Sequence, residues 1–381
     1  MRAARIWQLA SLDVVAQIVN GGTPRSDVPD YWGGDVQWLT PKDMGQMSCR
    51  EIASTPRTIT EAGLRNSSAR MVPANSIILS TRAPIGHLAI NTQPMAFNQG
   101  CRGIVPSDQL DHEFLYYFLL ASRSALDGLG TGATFKELSA AALKSFQIPL
   151  PPLDEQRRIV AVLDQTFAAT DRARTNAELN ATASENLPKE WLQGLFQNSA
   201  DWPVQPLANV CENLDRFRVP ITKSDREPGG IPYYGASGVV DHVKGHLFDE
   251  ELLLVSEDGA NLLARTYPIA FSISGKAWVN NHAHVLRFDD ATTQEFLRLY
   301  LNSISLVPYV TGMAQPKLNQ AALNGIPIPM PSAELRDEIV CKAHQISAEA
   351  ARIRANYLDQ SADITALRQS LLQAAFSGQL T

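Results

Sequence analysis

Histidines and carboxylates able to meet a metal ion gather in the second half of the chain. The stretch Trp278-Val279-Asn280-Asn281-His282-Ala283-His284-Val285-Leu286 reads as a strand, which puts His282 and His284 on one face, with Glu257 and Asp258 ending another buried-strand pattern. Paired histidines on a half-exposed strand serve more often as hydrogen-bonding surface, so no metal site is predicted. Cys49, Cys101, Cys211 and Cys341 lack the close spacing of a zinc site and read as reduced, mostly structural thiols. The chain has no Gly-Lys-Ser/Thr phosphate loop, no Gly-x-Gly-x-x-Gly and no His-Glu-x-x-His. Nor does it have a Gly-x-Ser-x-Gly elbow, and no catalytic residues are predicted.

What remains is a supply of amide, hydroxyl and cationic side chains on polar loops beside strands. Asn and Gln match the donor and acceptor pair of adenine, Arg matches guanine, and Lys or Arg suits phosphate. In the first half Thr81, Arg82, Asn98, Gln99 and Arg102 are the candidate base readers, with Arg25 and Lys42 on phosphates. In the second half the readers are Tyr234, Ser237, Asn261, Asn280, Asn281 and His282, with Lys244 and Lys276 on phosphates. Asn98 and Asn280 fit a second role equally well, closing turns or satisfying buried backbone. The net charge of −6 argues mildly against a nucleic-acid binder, but distribution matters more than the total. Arg50, Arg57, Arg65, Arg70, Arg82 and Arg102 face only Glu51 and Glu61 in the same span. That is either a local cationic surface or a scatter of solvated arginines.

The elements that must position these side chains are set by a repeat. Ile148-Pro149-Leu150-Pro151-Pro152-Leu153-Asp154-Glu155-Gln156-Arg157-Arg158-Ile159 returns 180 residues later as Ile328-Pro329-Met330-Pro331-Ser332-Ala333-Glu334-Leu335-Arg336-Asp337-Glu338-Ile339. The same offset relates Thr131-Gly132 to Thr311-Gly312 and Ala141-Ala142-Leu143 to Ala321-Ala322-Leu323. Each copy is a short apolar stretch broken by prolines, which delay a helix until they end. A long helix then starts, capped by Ser332 in the second copy and by Pro152 with Asp154 and Glu155 in the first.

The second helix has a seam at Ile339, Ala343, Ile346, Ala350, Ile353, Tyr357, Gln360, Ile364, Leu367, Leu371 and Ala374, a sustained heptad. The matching positions of the first are Ile159, Leu163, Thr166, Thr170, Ala173, Ala177, Asn180, Ser184, Leu187, Trp191 and Gly194. An antiparallel pairing lets small Ala173 and Ala177 receive Ile353 and Tyr357, whereas the alternative packs each helix on its own domain. Each rod is about 60 Å long, and Pro188 is expected to kink or interrupt the first.

Between the helices lie two unlike domains rich in short strands broken by Gly and Pro, with a helix expected over 112–124. The expected boundaries are 1–150, 151–198, 199–330 and 331–381. A chain of 381 residues, 45% hydrophobic, with no signal-like start and no apolar run long enough for a bilayer, is expected to be cytoplasmic.

These motifs carry a resemblance over nearly the whole chain. The proline-led helices, Gly21-Gly22-Thr23-Pro24 with Trp38-Leu39-Thr40-Pro41-Lys42-Asp43-Met44, and Tyr233-Tyr234-Gly235-Ala236-Ser237-Gly238 resemble the specificity subunit of Type I restriction-modification systems. The resemblance implies a mixed α/β (α+β) fold: two globular target recognition domains separated by two long antiparallel coiled-coil helices, pseudo-two-fold. It implies double-stranded DNA, two methylation subunits and restriction subunits as partners. S-adenosylmethionine then sits on the methylation subunit, with no cofactor in this chain and no catalysis of its own. Pro151, Leu153, Gln156 and Ile159, with Pro331, Leu335 and Ile339, are the expected partner-binding residues. With heads roughly 35 to 50 Å apart against about 34 to 36 Å per DNA turn, each head can read one segment of a bipartite site. The competing classes are a fused methyltransferase, a coiled-coil scaffold that never touches DNA, and a subunit of a related Type II restriction-methylation system.

Overall fold

The computed structural model describes residues 7–82, 84–132, 136–312 and 315–377. Two compact units divide the chain: one takes the residues up to Ala177 and again from Asp359, the other runs Glu178–Leu358. The division therefore falls inside the long helices, so each unit owns part of both.

The first unit is built on a five-stranded sheet in the order Ala16–Asn20, Cys101–Pro106, Ile77–Ser80, Leu88–Asn91, Glu51–Ile52. All of its pairings are antiparallel except the last. Every residue of Ile77–Ser80 and of Leu88–Asn91 is buried, because the sheet is covered on both faces. A four-stranded sheet orders Thr58–Ile59, Trp32–Leu39, Met95–Phe97, Met71–Val72, and its Trp32–Leu39 and Met95–Phe97 strands run parallel. The expected helix over 112–124 is present as His112–Ala121, capped by Asp111, followed by Arg123–Gly128.

The second unit repeats the plan with different side chains. One sheet orders Glu212–Asn213, Ala283–Arg287, Leu252–Ser256, Ala270–Ile273; the other orders Gly238–Val243, Pro228–Gly235, Lys276–Val279, Phe248–Asp249. The parallel pair recurs, as Tyr233 and Tyr234 beside Trp278 and Val279. Asp290 caps the helix Ala291–Ser303 as Asp111 does its counterpart.

The long helices are Leu153–Gln197 and Ala333–Phe376. In the first unit Leu163 and Phe167, early in the first helix, share a core with Leu372 and Ala375, late in the second. Arg368 there pairs with Asp171 and lies 4.2 Å over the Phe167 ring. In the second unit the order reverses: Leu192, late in the first helix, packs with Ala343, early in the second, and Arg354 meets Glu185 at 3.2 Å. The two helices are thus antiparallel.

The helices differ from the heptad expectation in several places, and the expected seam positions Asn180, Leu187 and Gln360 are exposed. Towards its end the buried seam of the second helix passes through Leu372 and Ala375, not Leu371 and Ala374, and Leu367 is exposed. A straight helix drifts about 20° per heptad from the 3.5 repeat, and five heptads accumulate about one residue's rotation. In the first helix Ala173 is exposed while Ala177 and Ala181 are buried, so Ala173 does not belong to the seam. Pro188 does not interrupt the helix, which continues to Gln197; the cost is the amide hydrogen bond that residue 188 cannot give to the carbonyl of Ser184.

The proline-led starts lock each helix to its own unit. Buried Gln156 donates to the carbonyls of Pro151 (2.8 Å) and Gln109 (2.9 Å) and accepts from the Asp111 N–H (2.8 Å). Arg336, at the same place in the second copy, donates to the Pro331 carbonyl at 2.8 Å. The departure from the first copy's Gln therefore keeps one bond of the set. No described helix is long and apolar enough to cross a membrane.

Replacing Gln156 with Ala strands the Asp111 N–H and two carbonyls, and should lower the stability of the first unit by roughly 1–3 kcal/mol. Urea unfolding followed by hydrogen exchange in the helix His112–Ala121 measures it; an unchanged midpoint would contradict the role given to Gln156.

Candidate nucleic-acid interface

One polar edge occurs in both units, built from the same four pieces. The first is an Asx turn. Asn98 Oδ1 accepts from the Gly100 N–H at 2.7 Å, and Asn280 Oδ1 accepts from the His282 N–H at 2.8 Å. Both asparagines also donate their own backbone N–H across the parallel strand pair, to Leu39 and to Tyr234 respectively. Each turn lifts one amide side chain into solvent, Gln99 in the first unit and Asn281 in the second, and both are exposed.

The loop after the parallel strand is the second piece. Thr40 and Asp43 form a capping box that holds Lys42 on the short helix Pro41–Met44. In the second unit the corresponding loop carries exposed Ser237. Gly21 packs on the first Asx turn so closely that a Cβ there would lie 2.0 Å from the Asn98 carbonyl oxygen. Only glycine fits there.

The third and fourth pieces are a strand end and a hairpin that bridges to it. Arg82 bridges Glu137, which closes a hairpin with Thr131; Asp258 bridges Lys317, which closes one with Thr311. Thr81 N–H donates to the Gly100 carbonyl and Leu138 N–H to the Thr81 carbonyl, both at 2.8 Å. Glu257 N–H donates to His282 (2.9 Å) and Leu318 N–H to Glu257 (2.7 Å), the same two bonds in the second unit.

The side chains at this junction are ionic. Glu137 sits between Arg82 (3.2 Å) and Arg102 (3.6 Å). In the second unit Glu257 holds Arg218 (2.6 Å) and Lys317 (3.0 Å), and lies 3.8 Å from His284. His284 is fully buried, with Nδ1 2.6 Å from Asp215 and Nε2 2.7 Å from the Leu318 carbonyl. Both ring nitrogens thus face oxygen atoms. Asp215, Glu257 and His284 stand close enough together to hold a metal, but both His284 nitrogens are already engaged, by Asp215 and by the Leu318 carbonyl.

Several expected readers are spent inside the fold. Thr81 is buried and donates to the Gly100 carbonyl; Asn261 is buried and bonds Thr266 and Tyr267. Asn98 and Asn280 close turns, the second of their two expected roles. Arg102 is mostly buried and donates to the carbonyls of Gln99 and Cys101. Tyr234 is half-buried against Phe271. The exposed set is Arg25, which pairs with Asp27, and Lys42, Arg82, Gln99, Ser237, Lys244, Lys276, Asn281 and His282, whose Nδ1 meets Asp258 at 2.7 Å.

The arginine cluster does not form one free cationic surface. Arg50 turns inward to Glu113 and Asp164, each at 2.5 Å, and to the Tyr117 hydroxyl. Burial works against its charge, but the hydrogen bond to Asp164 and the facing acids more than offset it, and its pKa lies above the ordinary value. Arg57 stacks 4.0 Å over Trp32, and Arg65 pairs with Glu61 along a helix. Local sequence could not assign these partners, since Asp164 lies far downstream on the first long helix.

The expected partner-binding residues are also largely internal. Pro151, Gln156, Ile159, Pro331 and Ile339 are buried in their own units, and only Leu153 and Leu335 are partly open. The motif's first task is thus to seat the helix. Glu137, Asp215, Arg218 and Lys317 escaped the sequence reading, although the offset that equates Thr131-Gly132 with Thr311-Gly312 also equates Glu137 with Lys317.

Two mixed α/β units, each holding part of both antiparallel helices, resemble in fold the solved specificity subunits. The HsdS subunit from Thermoanaerobacter tengcongensis superposes with a TM-score of 0.63 at 18% identity, covering 100% of this chain and 98% of that one. A chain from a structure of complex assembly and conformational transition in the type I R-M system gives 0.71 at 18% identity, covering both chains fully. The specificity subunit of the Type I restriction enzyme MjaIX from Methanocaldococcus jannaschii is 34% identical over 301 residues, 74% of this chain and 69% of that protein. The EcoprrI specificity subunit from Escherichia coli is 26% identical over 341 residues, 85% and 83% of the two chains. The model of the Type I restriction modification DNA specificity domain matches residues 5–181 and 199–355, and the chain belongs to that family.

Burial raises the carboxyls of Asp215 and Glu257, yet hydrogen bonds from His284 to the former and from Arg218 and Lys317 to the latter hold both below their ordinary values. Their stabilisation is therefore complete above the ordinary carboxylate range and is lost as pH falls through the depressed folded values. The stability gap between wild type and Asp215→Asn should shrink towards zero as pH drops below about 4. Urea titrations at stepped pH test this, and a gap independent of pH would refute it.

Proposed function

We propose that this chain is the non-catalytic DNA-reading subunit of a Type I restriction-modification complex, each unit reading one half of a bipartite, asymmetric site in the major groove. The observation that carries the reading is the repeated edge with unlike side chains: Gln99 and Asn281 stand on the same Asx turn, and Lys42 and Ser237 on the same loop. An identical frame with different polar groups is what two different half-sites require. Arg82, Gln99, Asn281 and His282 are the proposed base readers, with Arg25, Lys42, Lys244 and Lys276 on phosphates and Ser237 beside them.

Two methylation subunits, which carry the S-adenosylmethionine, dock on the helical region, and restriction subunits join that assembly. Leu153 and Leu335, partly open at the helix starts, are the proposed points of entry for such contacts. The antiparallel helices fix the unread spacer between the half-sites.

Sequencing the methylome of cells carrying this chain with its methylation subunit tests the proposal directly. A split motif with an unspecified middle is expected; a continuous motif or none would overturn it. Gln99→Ala should relax one base of one half-site, costing roughly 1–3 kcal/mol of discrimination, and Asn281→Ala one base of the other. Lengthening both helices by a matched insertion should change the number of unspecified base pairs and leave both half-sites as they were.

A further inference from the structure

The junction between strand end and hairpin is the same in both units, but its charges are inverted. In the first unit the strand end supplies the cation, Arg82, and the hairpin supplies the acid, Glu137. In the second the strand end supplies Glu257 and Asp258, and the hairpin supplies the cation, Lys317. The backbone frame is common, as the matching bonds of Leu138 to Thr81 and of Leu318 to Glu257 show.

The two cations are alike in their freedom. The side chain of Arg82 is 50% exposed and that of Lys317 is 53% exposed, each held by one carboxylate at 3.0 to 3.2 Å. Glu257 is itself anchored by Arg218 and lies beside the buried His284, so its position is fixed from within the fold. Glu137 is fixed in the same way by the largely buried Arg102. In each unit an inner cation holds a carboxylate, and the carboxylate aims an outer cation at solvent.

We infer that Lys317 is a DNA phosphate contact of the second unit, standing where the first unit places Arg82, with Glu257 and Glu137 as the groups that position the two cations. The inference rests on the DNA-reading function proposed above. Polar groups that fix a lysine or arginine stem at the rim of a reading edge lower the entropic cost of placing its charge on a phosphate. Outer cation and duplex phosphate attract, while the carboxylate behind the cation keeps the uncomplexed edge from presenting an unpaired charge. Lys317 also stands beside the Asx turn through the chain of bonds from Leu318 to Glu257 and from Glu257 to His282.

The test uses the chain assembled with its methylation subunit and duplexes that carry the motif found by methylome sequencing, or a scrambled sequence. Binding is measured over a range of salt. Lys317→Gln should weaken binding to both duplexes by a similar factor and reduce the slope of log K against log salt by about one, and Lys317→Arg should keep the wild-type slope. Arg82→Gln, at a proposed base reader, should instead weaken binding to the motif duplex more than to the scrambled one. A wild-type slope in Lys317→Gln, with the wild-type complex still selecting its motif, overturns this inference alone. A wild-type complex that shows no preference for any duplex overturns it together with the DNA-reading function. Because Lys317 is exposed and its stem packs in no core, the Gln variant is expected to fold, and its unfolding curve verifies this.

Discussion

The buried faces of two helices of 45 and 44 residues have to be covered, and inside each compact unit the helices help cover one another. That constraint explains why the first compact unit is not a continuous stretch of chain. The first unit's core takes in Leu372 and Ala375 from the end of the sequence, and Phe376 stacks edge-on against Phe114 and Phe118. The second unit's core takes in Ile339 and, through Leu192 and Ala343, the paired helix ends. Removing either helix would open both cores at once, so the recognition edges are supported by residues far from them in sequence.

The edges themselves rest on backbone more than on side chains. Leu39 and Tyr234 differ entirely as residues, yet their carbonyls accept the same bond from Asn98 and Asn280. What the frame demands is an asparagine to close the turn, a strand pair running parallel and a hairpin returning to the strand end. What it leaves open are the exposed places at Gln99, Asn281, Lys42 and Ser237. A scaffold of this kind lets specificity change while the fold stays the same.

Much of this was legible in the residues. Proline-led helix starts, the duplicated segment and the small and large positions of the seam led to antiparallel helices and two mixed domains. Spacing alone could not say where a seam leaves the ideal heptad, because that depends on the accumulated rotation of a straight helix, and the shift from Leu371 to Leu372 is its result. Among the site residues, exposed turn positions such as Gln99 and Asn281 were readable. Thr81 and Asn261 were not, since a polar residue beside a polar loop looks the same whether its side chain faces solvent or satisfies buried backbone. The ion pairs were hidden for another reason: Arg50 and Asp164, or Glu257 and Lys317, meet only after distant strands and helices are assembled.

The inverted junction bears on how such proteins can diversify. Recombination between the two halves of the gene, guided by their shared Thr-Gly and proline-led segments, would join one half's strand end to the other's hairpin if the crossover fell between them. Arg82 would then confront a lysine, and Glu257 a glutamate, with like charges replacing the Arg82–Glu137 and Lys317–Glu257 ion pairs. A crossover at the proline-led ends, by contrast, carries strand and hairpin together and keeps both ion pairs intact.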